Sequence, residues 1–227
     1  MKLITLFSFF IVTASVLAQV EVNQFDANNE RHGVWKKYHE NSRQLRYEGQ
    51  FIHGKEVGVF KYYCSDCKDL PMVVRTFNDS DNSAQVQYFT KKGKLVSEGK
   101  MDGKNKKGEW LYYQKNSKNI MTKEFYVEGK LEGLKTTYYK NNKVTQIINY
   151  KDGLKEGEDN YYSLEGVLLK KLYYVNDQLH DKAFYYDADG VVIIEGNYKN
   201  GKKHGVWKHY KNGKIILEET YPKPKKY

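Results

Sequence analysis

Two cysteines, the only two in 227 residues, stand three positions apart in Cys64-Ser65-Asp66-Cys67. In a reducing compartment that spacing supports thiol redox chemistry or half of a metal site. A zinc site needs a second ligand pair, and no nearby histidine pair supplies one. Outside the cytoplasm the same spacing reads as a local disulfide that pins a loop. The six histidines are His32, His39, His53, His180, His204 and His209. Four of them (His32, His53, His180 and His204) directly precede a glycine or aspartate that starts or ends a turn. They divide between the two ends of the chain, which predicts turn residues and no metal set. No Gly-x-Ser-x-Gly elbow, His-Glu-x-x-His pair or phosphate-binding glycine loop occurs. Glu48, Glu98, Glu124, Glu195 and Glu219 recur at similar block positions. A reaction centre needs one place unlike the rest, whereas recurrence points to cross-strand pairing with lysine. These residues therefore predict no enzyme, no cofactor and no bound metal.

The elements that carry them repeat. Blocks start at Gly33, Gly58, Ser83, Gly108, Gly133, Gly157, Asp181 and Gly205, always 24 or 25 residues apart. His32-Gly33-Val34-Trp35-Lys36 returns almost unchanged as His204-Gly205-Val206-Trp207-Lys208. A period of this length marks a stacked array of one supersecondary unit. Each block reads as two short strands and two turns. In the last, Asn212-Gly213 separates two β-rich runs, the signature of a type I′ hairpin. Comparable turns fall at Lys92-Gly93, Asn141-Asn142, Glu165-Gly166 and Asp189-Gly190. Others join successive blocks, at His53-Gly54, Asp102-Gly103, Glu128-Gly129, Asp152-Gly153 and Asn200-Gly201. With both turns tight, consecutive strands run antiparallel. The expected fold is all-β: an elongated single-layer antiparallel meander of about eight β-hairpin repeats over residues 31–222. A lead over residues 19–30 precedes it and a basic tail, residues 223–227, follows. The two sheet edges invite pairing with a second copy, an edge-mediated homodimer, unless the lysine-rich tail blunts one of them.

Side chains on a strand alternate between faces. The aromatic two residues into a block recurs as Trp35, Phe60, Trp110 and Trp207. On the opposite face a tyrosine recurs as Tyr38, Tyr63, Tyr88, Tyr113, Tyr138, Tyr162, Tyr186 and Tyr210. Late in each block comes another large residue: Phe51, Phe77, Met101, Tyr126, Tyr150, Tyr173, Tyr198 or Tyr221. Stacked across strands, these form aromatic ladders that serve as core or as a contact surface, because a single-layer sheet has no second layer to cover them. Block two departs from the pattern. Cys64 to Pro71 and Asn78 to Ser83 predict a longer hairpin tip there.

The chain carries 38 Lys and Arg against 28 Asp and Glu, a net charge of +10. Lysines that alternate along strands solvate an outer face; as a field they also attract anionic glycans, head groups or envelope polymer. Residues 1–18 read as a signal peptide, with Lys2, an apolar run from Leu3 to Val12 and a small-residue site ending at Ala18. That run is too short to span a bilayer comfortably and no second one follows, so no transmembrane segment is expected after cleavage. The expectation is a soluble exported protein, periplasmic or extracellular, and export disfavours nucleic acid as a partner. Strands of about six residues are also too short for a membrane barrel, which needs about nine to eleven.

The repeated G-x-W-x-x-Y, then a turn, then E-x-x-Y-x-x-G resembles the MORN-repeat family, specifically its bacterial exported variant and the YwqK-type antitoxin-like proteins. The resemblance runs from Arg31 to Tyr221. Blocks one, four and eight match best, at Trp35, Trp110 and Trp207. Blocks three, five, six and seven lack the tryptophan, the leading glycine or both. The resemblance implies a β-hairpin array without catalytic residues that mediates scaffolding, membrane association or dimerisation. The expected function is an exported scaffold that binds a protein or an anionic envelope polymer. The alternative is an antitoxin-like protein that neutralises a toxin by direct binding.

Overall fold

The computed structural model describes residues 21–67 and 69–223. The expected signal peptide and residues 224–227 of the basic tail lie outside the described residues. The described chain forms one open antiparallel sheet of 19 strands in meander order. Sixteen strands of five to ten residues make up its body, from Arg31–Tyr38 to Lys214–Tyr221. The other three, Gln24–Phe25, Lys130–Leu131 and Gln178–Leu179, are two residues each.

Turn chemistry sets this topology. At His53-Gly54 both residues have positive φ (46° and 74°), and so do Asn200 and Gly201 (50° and 76°). These inter-block turns have the two left-handed residues that a type I′ hairpin requires. Most turns inside blocks differ from the expected type I′. At Lys92-Gly93 only the glycine is left-handed (φ 71°), and the Gly93 N–H donates to Thr90 O at 2.8 Å. A longer loop closed by one left-handed residue offsets the strands, and a bulge follows. The offset recurs at the same place, between Tyr112 and Tyr113, Tyr161 and Tyr162, and Tyr185 and Tyr186.

Pairing corrects the expected block register twice. Gly33 faces Phe51 and Gly108 faces Tyr126, but in the third block it is Ala84, not Ser83, that faces Met101. The bulge there falls between Tyr88 and Phe89, so Phe89 holds the place given to Tyr88. The leading glycines sit at positive φ, as Gly108 does at 66°, and Asp181 tolerates the same region at 57°. Alanine does not, and the two strand pairs ahead of Ala84 run without a register shift. In block six Tyr174, not Tyr173, faces the leading Gly157.

The core forms without a second layer. Phe60 is fully buried, and Trp110 and Trp207 are 1% exposed. Each ring lies on a glycine of the preceding strand. A Cβ on Gly49, Gly99 or Gly196 would come within 2.5, 2.5 and 2.2 Å of Phe60, Trp110 and Trp207 respectively. Glycine inside a strand loses packing and entropy, and here the neighbouring ring fills its empty place. The covered residue and its cover are always eleven positions apart. Where the glycine is replaced the aromatic is too: Leu172 precedes Ala183, Ile148 precedes Asp159 and Glu124 precedes Lys135. Bulk moves from one strand to its neighbour and the total stays nearly constant, as close packing demands. Edge-on rings close the row, with Tyr198 5.0 Å from Trp207 and Phe51 5.1 Å from Phe60.

Candidate binding face

The two faces of the sheet carry different electrostatics. Away from the tryptophans, lysines meet carboxylates across strands. Lys36 and Lys61 flank Glu48 at 3.9 and 3.7 Å, Lys123 meets Glu109 at 2.5 Å, and Lys171 meets Glu158 at 2.6 Å. Of the recurring tyrosines, Tyr63, Tyr113 and Tyr210 lie on this face and bind its glutamates, whereas Tyr88 packs beside Trp110 on the tryptophan face. Tyr63 donates to Glu48 at 2.8 Å, Tyr210 donates to Glu195 at 2.6 Å, and Tyr113 donates to Glu98. Burial and that hydrogen bond push the Tyr113 phenol up to about 12. Tyr138 is half-buried in the same row, and Tyr38, in the first long strand, is 48% exposed. Cross-strand ion pairing with lysine thus holds for Glu48 and, on the tryptophan face, for Glu124 with Lys135. Glu98 and Glu195 instead take tyrosine hydroxyls, and Glu219 bonds Tyr221 and Lys223.

On the tryptophan face the cations stand over rings. Lys106 Nζ lies 4.6, 5.1 and 4.8 Å from the ring centres of Trp110, Tyr112 and Tyr126. Lys203 lies 4.2 Å from Trp207 and 5.0 Å from Tyr221, and Lys155 lies 4.8 Å from Tyr174. Arg31 caps Trp35 and Phe51 at 5.2 and 5.1 Å. Arg31, Lys106, Lys155 and Lys203 share one block position, two residues before the leading glycine. None of them takes part in the described ion pairs with carboxylates. A ring's negative face holds a cation without neutralising it. These four positions therefore keep their positive charge, whereas lysines of the opposite face are matched by carboxylates.

The middle of the tryptophan face is polar where the ends are aromatic. Lys135 Nζ lies 2.9 Å from Glu124 Oε1, and Tyr126 donates to Glu124 at 2.7 Å. Burial works against the Glu124 charge, but the bonds from Lys135 and Tyr126 outweigh it and hold the carboxyl below its ordinary range. Asp159 is fully buried between Ile148 and Leu172. Gln146 donates to its Oδ1 at 2.7 Å, while Oδ2 has no protein partner. Burial raises the Asp159 carboxyl above its ordinary range. Blocks five and six lack the tryptophan, and Lys135 and Asp159 at the ring position are the sequence signal of this polar centre.

The remaining site residues lie apart from this face's centre. Cys64 and Cys67 are joined as a disulfide, with Cα atoms 5.1 Å apart, in the tip between Lys55–Tyr62 and Val73–Phe77. Asp66, between them, pairs with Lys91 of the next hairpin at 2.5 Å. Asp26, His32 and His53 converge at the first repeat, a grouping the spread of histidines along the chain had concealed. No protein-family model matches the chain, and no curated protein matches it.

Proposed function

We propose that this chain is an exported, non-catalytic repeat scaffold that binds an anionic envelope polymer along its tryptophan face. A protein partner of comparable charge would use the same surface. The carrying observation is that Lys106, Lys155 and Lys203 stand over rings on this face without a carboxylate partner among the described ion pairs, whereas Lys36 and Lys171 stand against carboxylates on the other. Rings that hold lysine stems in place lower the ordering cost of binding. Lys106, Lys155 and Lys203 stand in alternate repeats, four strands or about 20 Å apart, and so offer evenly stepped charges to a linear polyanion. The resemblance to MORN repeats, which implies an interaction scaffold, points the same way.

The test is retention on immobilised polygalacturonate, with neutral dextran as control. The chain is expected to bind the polyanion and to elute with salt, because exposed charges are screened within about 8 Å at physiological ionic strength. Replacing Lys106, Lys155 and Lys203 together by glutamine should abolish retention while thermal stability changes little. Elution of that variant alongside the wild type would rule the face out.

A further inference from the structure

Asp26, His32 and His53 each place one ligand atom within 4.8 Å of the other two. They come from three segments: the N-terminal lead, the start of the strand Arg31–Tyr38, and the turn after Leu45–Ile52. Asp26 Oδ1 accepts the Asn28 and Glu30 N–H groups, both at 2.9 Å, which fixes the carboxylate and aims Oδ2 at His53 Nδ1, 2.6 Å away. The His32 and His53 rings lie 5.3 Å apart. His53 breaks its own repeat pattern, since the matching left-handed turn positions carry Gly103, Glu128, Asp152, Asn176 and Asn200. Those residues suit a left-handed turn; only the histidine also brings an imidazole beside His32. The other three-residue cluster among the described residues, Cys64, Asp66 and Cys67, has its sulfurs joined to each other and offers no thiolate.

We propose that Asp26, His32 and His53 form a binding site for a borderline divalent transition metal, with zinc as the representative ion. Two imidazoles and one carboxylate suit zinc, which takes nitrogen and oxygen at about 2.0–2.2 Å and completes its tetrahedron with water. On binding, metal–ligand bonds replace the Asp26–His53 hydrogen bond and all but one of the ion's waters, and the His53 Nδ1 proton moves through solvent to Nε2, so the ring ligates through Nδ1 as a neutral imidazole. The required movement is a side-chain rotation, because the His53 side chain is 64% exposed. The ion would tie the lead to the first repeat. There Gln24–Phe25 pairs along the outer edge of Arg31–Tyr38, and Trp35 Nε1 donates to Gln24 O at 3.0 Å. Terminal repeats of an array need such a cap, and this site would make the cap metal-dependent.

Calorimetric titration of the metal-free full chain with zinc tests the site, paired with hydrogen exchange over residues 22–35. One equivalent is expected to bind and to slow exchange in that segment. Asp26→Asn keeps the Oδ1 acceptor and His53→Asn suits the left-handed turn, so both should melt like the wild type without metal. Each of these, and His32→Ala, should weaken zinc binding at least about tenfold, since losing a ligand costs no less than losing the groups that orient it. His180→Ala should bind as the wild type does. Binding that survives all three substitutions, or no binding at all, overturns the proposal. So does zinc binding without slowed exchange in the lead.

Discussion

The Trp110 ring occupies the space that a side chain on Gly99 would need, with ring atoms 2.5 Å from the place of a Cβ. This one contact explains how an open sheet buries an indole. It also couples two residues eleven positions apart. Gly99→Ala should therefore cost about 1–3 kcal/mol from overpacking. Thermal or urea melts would show it, and in a Trp110→Val background the cost should shrink to a fraction of that. An undiminished cost in the paired background would mean that backbone strain, not the ring, sets the glycine.

The same coupling should be transferable. Ala183 is fully buried beside Leu172, which is 7% exposed. Ala183→Trp alone should destabilise strongly for want of a slot, and adding Leu172→Gly should recover most of the loss. Urea midpoints of the two single variants and the double variant decide this.

Asp159 should weaken the fold at neutral pH. Its folded carboxyl is raised by burial above the ordinary value of 3.8, so its contribution is most favourable below that value. The contribution declines as pH rises through the folded value, when a buried charge must be held. Asp159→Asn should accordingly raise the melting temperature at pH 7, and the gain should vanish near pH 3. A gain independent of pH would assign it to packing.

Tyr113 and Glu98 give a loss of the same sign in an alkaline window. The phenol is pushed up to about 12 by burial and the bond to Glu98, against an ordinary value of 10.0. Stabilisation from this bond is complete below pH 10 and lost between about 10 and 12. Tyr113→Phe should cost about 1 kcal/mol at neutral pH. Absorbance titration near 295 nm should lose one late-titrating phenol in the variant.

Cys64 and Cys67 close a very small loop, so losing the disulfide removes little chain entropy. The double serine variant should lose at most about 2 kcal/mol, with faster hydrogen exchange confined to the tip around Asp66. Alkylation of unreduced protein followed by mass spectrometry should find no free thiol. Two labelled cysteines would return the pair to redox or metal chemistry.

By itself the sequence determined the strands, the turns and the antiparallel meander. Those depend on neighbours in the chain: alternation of period two, Asn or Gly where φ must be positive, and a block that returns after 24 or 25 residues. The tertiary structure alone decided register and partnership. Ser83 and Tyr88 look right by counting, yet the missing shift ahead of Ala84 moves Val86 into the ring slot and puts Phe89 on the opposite face. Lysines are indistinguishable along the chain, but a one-residue change of face sets Lys36 against Glu48 and Lys106 over Trp110. Asp26, His32 and His53 meet only because the lead folds back onto the first repeat. Such contacts depend on which strands lie side by side and how each bulge offsets them. Bulge offsets add along a sheet, so a residue's cross-strand neighbours follow from packing the whole array and not from its local sequence.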